Sequence, residues 1–203
     1  MNEIPNQTAL RAHMGPISPT AERKVLPRLD RHCRHFIALS PLLVVATADA
    51  SGRIDASPRG DPPGFVRVLD DETLLIPDRP GNNRVDTFAN VLSAPGIGLI
   101  FFVPGVDETL RINGAARLST EADALEPSAI RGKTPRIGLI VAIHEVFFHC
   151  GKALKRARLW DPAAAIERSE FPTLGRILAD QTAEFTVAEA DARIETAYRE
   201  RLY

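Results

Sequence analysis

The order of apolar and polar positions divides the chain into a middle built of strands and two flanks built of helices. Leu42 to Thr47 is a β-branched apolar run, Asp49-Ala50-Ser51-Gly52 is a turn, and Arg53 to Arg59 alternates. That order predicts a hairpin, and alternation puts Asp55, Ser57 and Arg59 on one face of its second strand. Phe65 to Leu69 and Thr73 to Ile76 predict two more strands joined by Asp70-Asp71-Glu72. Val85, Phe88, Ala89 and Leu92 recur with helical spacing and predict the buried stripe of a helix, stopped by Ala94-Pro95-Gly96. Ile97 to Val103 is apolar on both faces, as a strand deep in a sheet or barrel is. In Glu108 to Leu118, Leu110, Ile112, Gly114, Ala116 and Leu118 face one way, and Thr109, Arg111, Asn113 and Arg117 face the other. Ile137 to Phe148 predicts a last long strand, with His144 expected as a satisfied core histidine. These seven strands do not alternate as βαβ units, so the expected fold is mainly β, a small antiparallel barrel with peripheral helices.

The flanks differ from this middle. Residues 1–19 are polar and broken by Pro5, Pro16 and Pro19, which predicts a poorly ordered arm. A helix start follows Thr20, and Asp30 is placed to cap a helix running to Leu39, with Cys33, Phe36 and Ile37 on its apolar side. Thr120 to Leu125 predicts a short acidic helix, and a loop continues to Pro135. Beyond the last strand, Lys152, Lys155, Arg156 and Arg158 crowd together and Trp160 closes the segment. One or two amphipathic helices are expected from Leu174 to Tyr203. The domain division is therefore an arm and helix over 1–29, a barrel over 30–160 and a helical extension over 161–203.

Composition narrows the classes. The chain has 203 residues, 44% of them hydrophobic, enough for one domain with an appended segment. Its formal net charge of −1 gives no global field favouring nucleic acid or an anionic membrane. Cys33 and Cys150 form no disulfide framework, so a reducing compartment is expected. The first residues hold no apolar targeting stretch, and no apolar run is long enough to span a bilayer. A cytoplasmic protein without a membrane partner is the expectation.

Candidate chemistry centres on Asp70 to Val91. A short strand leads into a polar loop, Pro77 to Asn83, and then into a helix that Asn83 is placed to cap, with Asp86 completing a capping box. A helix N-terminus presents unpaired N–H groups and the positive end of a dipole, and Arg79 and Arg84 sit beside it. Together they make an anion site, read here as the seat of a phosphate. The plainer reading of the same residues is a surface connection with solvated arginines.

Elsewhere, Lys152, Lys155 and Arg156 share one helical face that either lies in solvent or closes over an anion. Trp160 either packs or stacks on a ring. No clustered Cys/His ligand set predicts a metal site, and Ser57 has no nucleophile elbow around it. The basic segment lacks the interleaved aromatic residues of a nucleic-acid platform. No general acid/base pair stands out, so the catalytic residues are unassigned, as fits a protein whose cofactor does the chemistry.

Ile54-Asp55-Ala56-Ser57-Pro58-Arg59-Gly60-Asp61, then Thr73 to Pro77, then Asp78-Arg79-Pro80-Gly81-Asn82-Asn83-Arg84, resemble the pyridoxamine 5′-phosphate oxidase-like flavoproteins. The likeness is to the branch that carries SPRGD and IPDRPGNNR in this order, and it covers about residues 30 to 160. It implies a split β-barrel of the FMN-binding type and a homodimer with two FMN sites at its interface. It implies that Ser57 and Arg59 lie beneath the flavin, Ile76 and Pro77 at its ring, and Asn82, Asn83 and Arg84 at its phosphate. Two asparagines replace the family's basic phosphate-gripping residues there, so Lys152, Arg156 and Trp160 are expected to add to the site from either subunit. Arg111 and Asn113 match the strand brought to the interface. The family's C-terminal arginine-and-histidine pattern is absent, which argues against true vitamin B6 oxidase activity. The expected function is an FMN-dependent oxidoreductase acting on an unidentified small molecule. The alternatives are a flavin- or haem-binding carrier or sensor without turnover, and a non-enzymatic dimer.

Overall fold

The computed structural model describes residues 3–203. The chain opens with three helices, α1 (Gln7–Met14), α2 (Pro19–Arg23) and α3 (Arg31–Leu39). Strands β1 (Leu42–Ala48), β2 (Ile54–Gly60), β3 (Arg67–Val68) and β4 (Thr73–Pro77) follow, then helix α4 (Asp86–Ser93). Next come β5 (Gly96–Phe102), β6 (Thr109–Ser119), the short α5 (Ala122–Leu125) and β7 (Gly138–His149). Helices α6 (Lys152–Ala157), α7 (Leu174–Thr182) and α8 (Val187–Glu200) complete it.

The seven strands form one sheet in the order β2-β1-β5-β6-β7-β4-β3, with every pairing antiparallel. The sheet is not closed, because β2 and β3 are both edges. This is the antiparallel, mainly β architecture with peripheral helices that the alternation of residues predicts, left open as in the split barrel that the resemblance implies. Leu43, Val45, Leu74, Phe101, Leu110, Ile112, Val141 and Val146 point inward and are fully buried. Each such side chain contributes about 1.5–3 kcal/mol over leaving it exposed. Cys33, Phe36 and Ile37 close one end from α3, whose N-terminus the Asp30 carboxylate caps by accepting from His32 N and Cys33 N. A bulge between Asn113 and Gly114 lets the long β6–β7 pair bend. No side chain fits at Gly114, since a Cβ there would lie 2.0 Å from the Ala142 carbonyl oxygen.

Several expectations are corrected. Residues 1–2 of the predicted arm lie outside the described residues. The rest of the arm is not structureless, because Asn6 caps α1, its side chain accepting from Ala9 N. The third strand shrinks to Arg67–Val68. The predicted stripe on α4 is rotated: Thr87, Phe88 and Val91 are buried, while Val85 and Leu92 are 51% and 76% exposed. Val85 precedes the helix, which begins at Asp86, and Leu92 falls on its outer side. His144 is exposed rather than in the core, because the β6–β7 bulge takes it out of register.

Among the described residues, no helix is long and apolar enough to cross a membrane.

Candidate functional site

β2 and β4 are far apart in the sheet order, yet the residues that follow them, Asp61 and Arg79, meet across the open side of the barrel. Helix α4 packs on β1, β2 and β6. Asp61 follows β2, and its carboxylate, with a side chain only 1% exposed, accepts from Arg79 Nε at 2.5 Å. Arg79 Nη2 also donates to the Ser128 carbonyl at 2.9 Å. One guanidinium thus ties β2, the loop after β4 and the turn after α5 together.

A cleft of about 430 Å³ opens at this seam. That lies in the range of small-molecule sites, about 300–1,000 Å³. Arg59 enters it from β2. Alternation turns Asp55, Ser57 and Arg59 inward, half-buried, and leaves Ile54, Ala56 and Pro58 outside. Pro58 is tolerated because β2 is an edge. Arg59 Nη2 donates to Thr87 Oγ1 at 3.2 Å, and Thr87 Oγ1 donates to Asp55 Oδ2 at 3.2 Å. Among the described residues, no carboxylate pairs with Arg59.

Asp78, Arg79, Gly81, Asn82, Asn83 and Val85 form a second wall. Asn83 and Val85 both take left-handed backbone, φ 59° and 56°. That conformation is strained for a β-branched residue. Val85, not Asn83, is the N-cap of α4, and no side chain caps the helix. The expected capping box is therefore absent, since Asp86 turns to Arg84 instead. The consequence favours an anion: the first-turn N–H groups remain available at the positive end of the helix.

The third wall is Lys133, Thr134, Pro135 and Arg136, from the loop before β7. Four cations thus line the cleft, Arg59, Arg79, Lys133 and Arg136, against one acid, Asp78. Burial pushes the Asp78 carboxyl above its ordinary range, with Arg59 and the Arg79 backbone opposing. Tyr203 completes the lining from the far end of the chain.

Sequence reasoning missed Lys133, Arg136, Asp78 and Tyr203. The three cations of Arg131-Gly132-Lys133-Thr134-Pro135-Arg136 were a legible signal of local charge. Nothing in the sequence brings Tyr203 here.

The structure brings Arg59, Asn82 and Asn83 of the expected set together. Ser57 shares the inward face of β2. Ile76 and Pro77 are buried at the end of β4, the former 1% exposed, and do not line the cleft. Arg84 lies at its edge, with a side chain 71% exposed and Nε donating to Asp86 Oδ2 at 2.7 Å. Arg111 sits on the outer sheet face over the Phe147 ring, 5.4 Å from its centre, beside a hydrogen-bonded Asn113–Glu145 pair. Lys152 and Arg156 are exposed on α6. That segment is fastened to the β5–β6 turn by Lys155–Asp107 at 2.8 Å and by Trp160 Nε1 donating to Val106 O at 2.9 Å. Within one chain, none of Arg111, Lys152, Arg156 and Trp160 lines the cleft.

Comparison with known proteins gives a family match over this body. Residues 29–150 match the family model described as pyridoxamine 5′-phosphate oxidase. Among solved structures, HupZ of Group A Streptococcus is similar, with 22% identity, a TM-score of 0.49, and coverage of 59% of this chain and 93% of that one. An FMN-binding protein from Syntrophomonas wolfei is similar at 14% identity and a TM-score of 0.45, covering 58% and 83%. No curated protein matches the chain.

Proposed function

The chain belongs to the pyridoxamine 5′-phosphate oxidase family, and on that premise we propose that it binds FMN in the cleft at the barrel seam and serves as an FMN-dependent oxidoreductase on a small molecule. The observation that carries this reading is the meeting of the two motifs. Arg59 from the first and Asp78 to Asn83 from the second line one cleft at the uncapped start of α4.

The donor set suits a phosphate monoester. Arg59 offers a guanidinium free of any carboxylate partner among the described residues, Asn82 and Asn83 offer side-chain amides, and α4 offers backbone N–H groups. The opposite rim, Lys133, whose Nζ donates to the Tyr203 main-chain oxygen, and Arg136, adds positive potential. Ser57, Ile76 and Pro77 are assigned to the support beneath the ring system, through a half-buried strand face and a buried strand end. When bound, the flavin supplies a two-electron acceptor. The chain's task is to hold the phosphate, to exclude water with apolar Phe88 and Ile130, and to set the local charge through Asp78.

The proposal includes a homodimer. Val44, Ile100, Phe102 and Phe147 are only partly covered on the outer sheet face, around Arg111 and the Asn113–Glu145 pair. A second copy seated there would cover them. It would also give Lys152, Arg156 and Trp160 a role at the partner's site, which they do not have at their own cleft. Arg84 is assigned a peripheral part, reaching the phosphate only by leaving Asp86.

The test is the visible absorption of purified protein incubated with FMN and freed of excess by gel filtration. Retained flavin with a shifted two-band spectrum supports the reading, and a colourless protein contradicts it.

A further inference from the structure

We propose that Tyr203 is a ligand-contacting residue of the cleft, an aromatic clasp brought by the C-terminal hairpin to close over a planar aromatic anion. The inference rests on the flavin reading and deepens it. Tyr203 lies outside the matched family region, residues 29–150.

The hairpin itself holds little of the body. Helices α7 and α8 pack on each other, with Gly175 against the backbone of Asp191 and Thr173 Oγ1 donating to Asp191 Oδ2 at 3.1 Å. They pack on no other helix or strand to a comparable extent. What joins their end to the barrel is Tyr203. Its hydroxyl donates to Asp61 Oδ1 at 2.7 Å. Its ring centre is 5.3 Å from the Arg131 guanidinium and 6.0 Å from that of Arg79. Lys133 Nζ donates to its main-chain oxygen at 2.8 Å.

These contacts are polar ones at a cationic cleft. A tyrosine kept only to pack the hairpin would bury its ring against apolar side chains. This ring instead stays half-exposed beside two guanidinium groups, lining the same cleft as Arg59 and Asn82. The two guanidinium groups orient the ring, and its place in the cleft lining puts it within reach of a ligand held there. The carboxylate that holds the hydroxyl is itself buried and locked by Arg79, so the clasp has a fixed anchor. Its other attachments are single contacts from exposed residues, which suits an element that opens for ligand entry and exit.

The experiment measures FMN release from loaded protein by stopped-flow fluorescence, in wild type, Tyr203→Ala and Tyr203→Phe. Loss of the clasp is expected to speed release by about tenfold in Tyr203→Ala, because affinity changes of this kind fall mainly on the off-rate. Its bound flavin is also expected to fluoresce more brightly than in wild type, because the quenching ring is gone. Tyr203→Phe keeps the ring and loses the Asp61 bond, so it should retain the quenching and release at an intermediate rate. Release from Tyr203→Ala that is unchanged or slower, with wild type holding FMN, overturns the clasp alone. A wild-type protein that holds no FMN overturns the clasp together with the flavin reading.

Discussion

Asp61 and Arg79 are the joint between the two sequence motifs, a carboxylate 1% exposed held by a guanidinium that also binds the Ser128 carbonyl. The pair closes the seam of a barrel whose sheet leaves it open. Removing one partner strands the other in a buried place, which costs about 3–5 kcal/mol. Asp61→Asn should therefore lower the urea midpoint by about that much in free energy, and it should also loosen Tyr203. An Asp61→Asn protein as stable as wild type would show that the seam is held by something else.

Arg59 and Arg84 are predicted to behave differently despite flanking the same loop. Arg59 lines the cleft with no carboxylate partner among the described residues, and Arg84 is exposed and paired with Asp86. Arg59→Ala should weaken FMN binding by about tenfold or more, the loss of one charged hydrogen bond at about 1.5–3 kcal/mol. Arg84→Ala should change it by less than about threefold, as breaking an exposed pair does. Fluorescence titration of both variants checks the order, and a larger effect at Arg84 reverses the assignment.

Asp78 gives the cleft a pH dependence of predictable sign. Burial raises its pKa, so the folded chain favours the protonated acid. This contributes stability that is full below the unfolded pKa, near 3.8, and is lost as pH rises through the raised folded value. The charge that forms also opposes an anionic ligand. At neutral pH, Asp78→Asn should bind FMN about fivefold more tightly, the effect of one unit charge at a few ångströms in a solvated site. That advantage should shrink as pH falls through the Asp78 pKa and wild type loses the same charge. A ratio of affinities constant from pH 8 to pH 4 would show that Asp78 does not titrate there.

Gly114 tests the fold rather than the site. A methyl group there would meet the Ala142 carbonyl oxygen at 2.0 Å, so the bulge must open to admit it. Gly114→Ala should cost about 1–3 kcal/mol, the usual penalty for overpacking. Thermal unfolding measures it, and an unchanged midpoint would mean that the bulge adapts freely.

The strands were legible because their signal is local. Leu42 to Ala48, Ile54 to Gly60 and Gly96 to Phe102 alternate or run apolar as a sheet requires, and Asp30 caps its helix as its position predicts. The start of α4 was not legible, because the loop pays for a strained Val85 to leave the helix uncapped, against the preference that favoured Asn83. His144 was misjudged because it is itself the extra, unpaired residue of the β7 bulge, and bulges leave little local trace. Of the residues lining the candidate cleft, Arg59, Asn82 and Asn83 were legible from the motifs. Tyr203 was not, since its approach to Asp61 spans most of the chain and depends on how two helices fold back.

The central claim is that this seam binds the phosphate of a flavin mononucleotide, and the most direct measurement compares FMN with riboflavin in titrations of the wild-type protein. The two ligands share the ring system and differ in the phosphate. The predicted result is FMN binding at least about a hundredfold tighter than riboflavin, as two or more charge-assisted hydrogen bonds require. That preference should fall by at least about tenfold in Arg59→Ala, when its one such bond is lost. Equal affinities for the two flavins, or a preference for FMN that Arg59→Ala leaves intact, would contradict it.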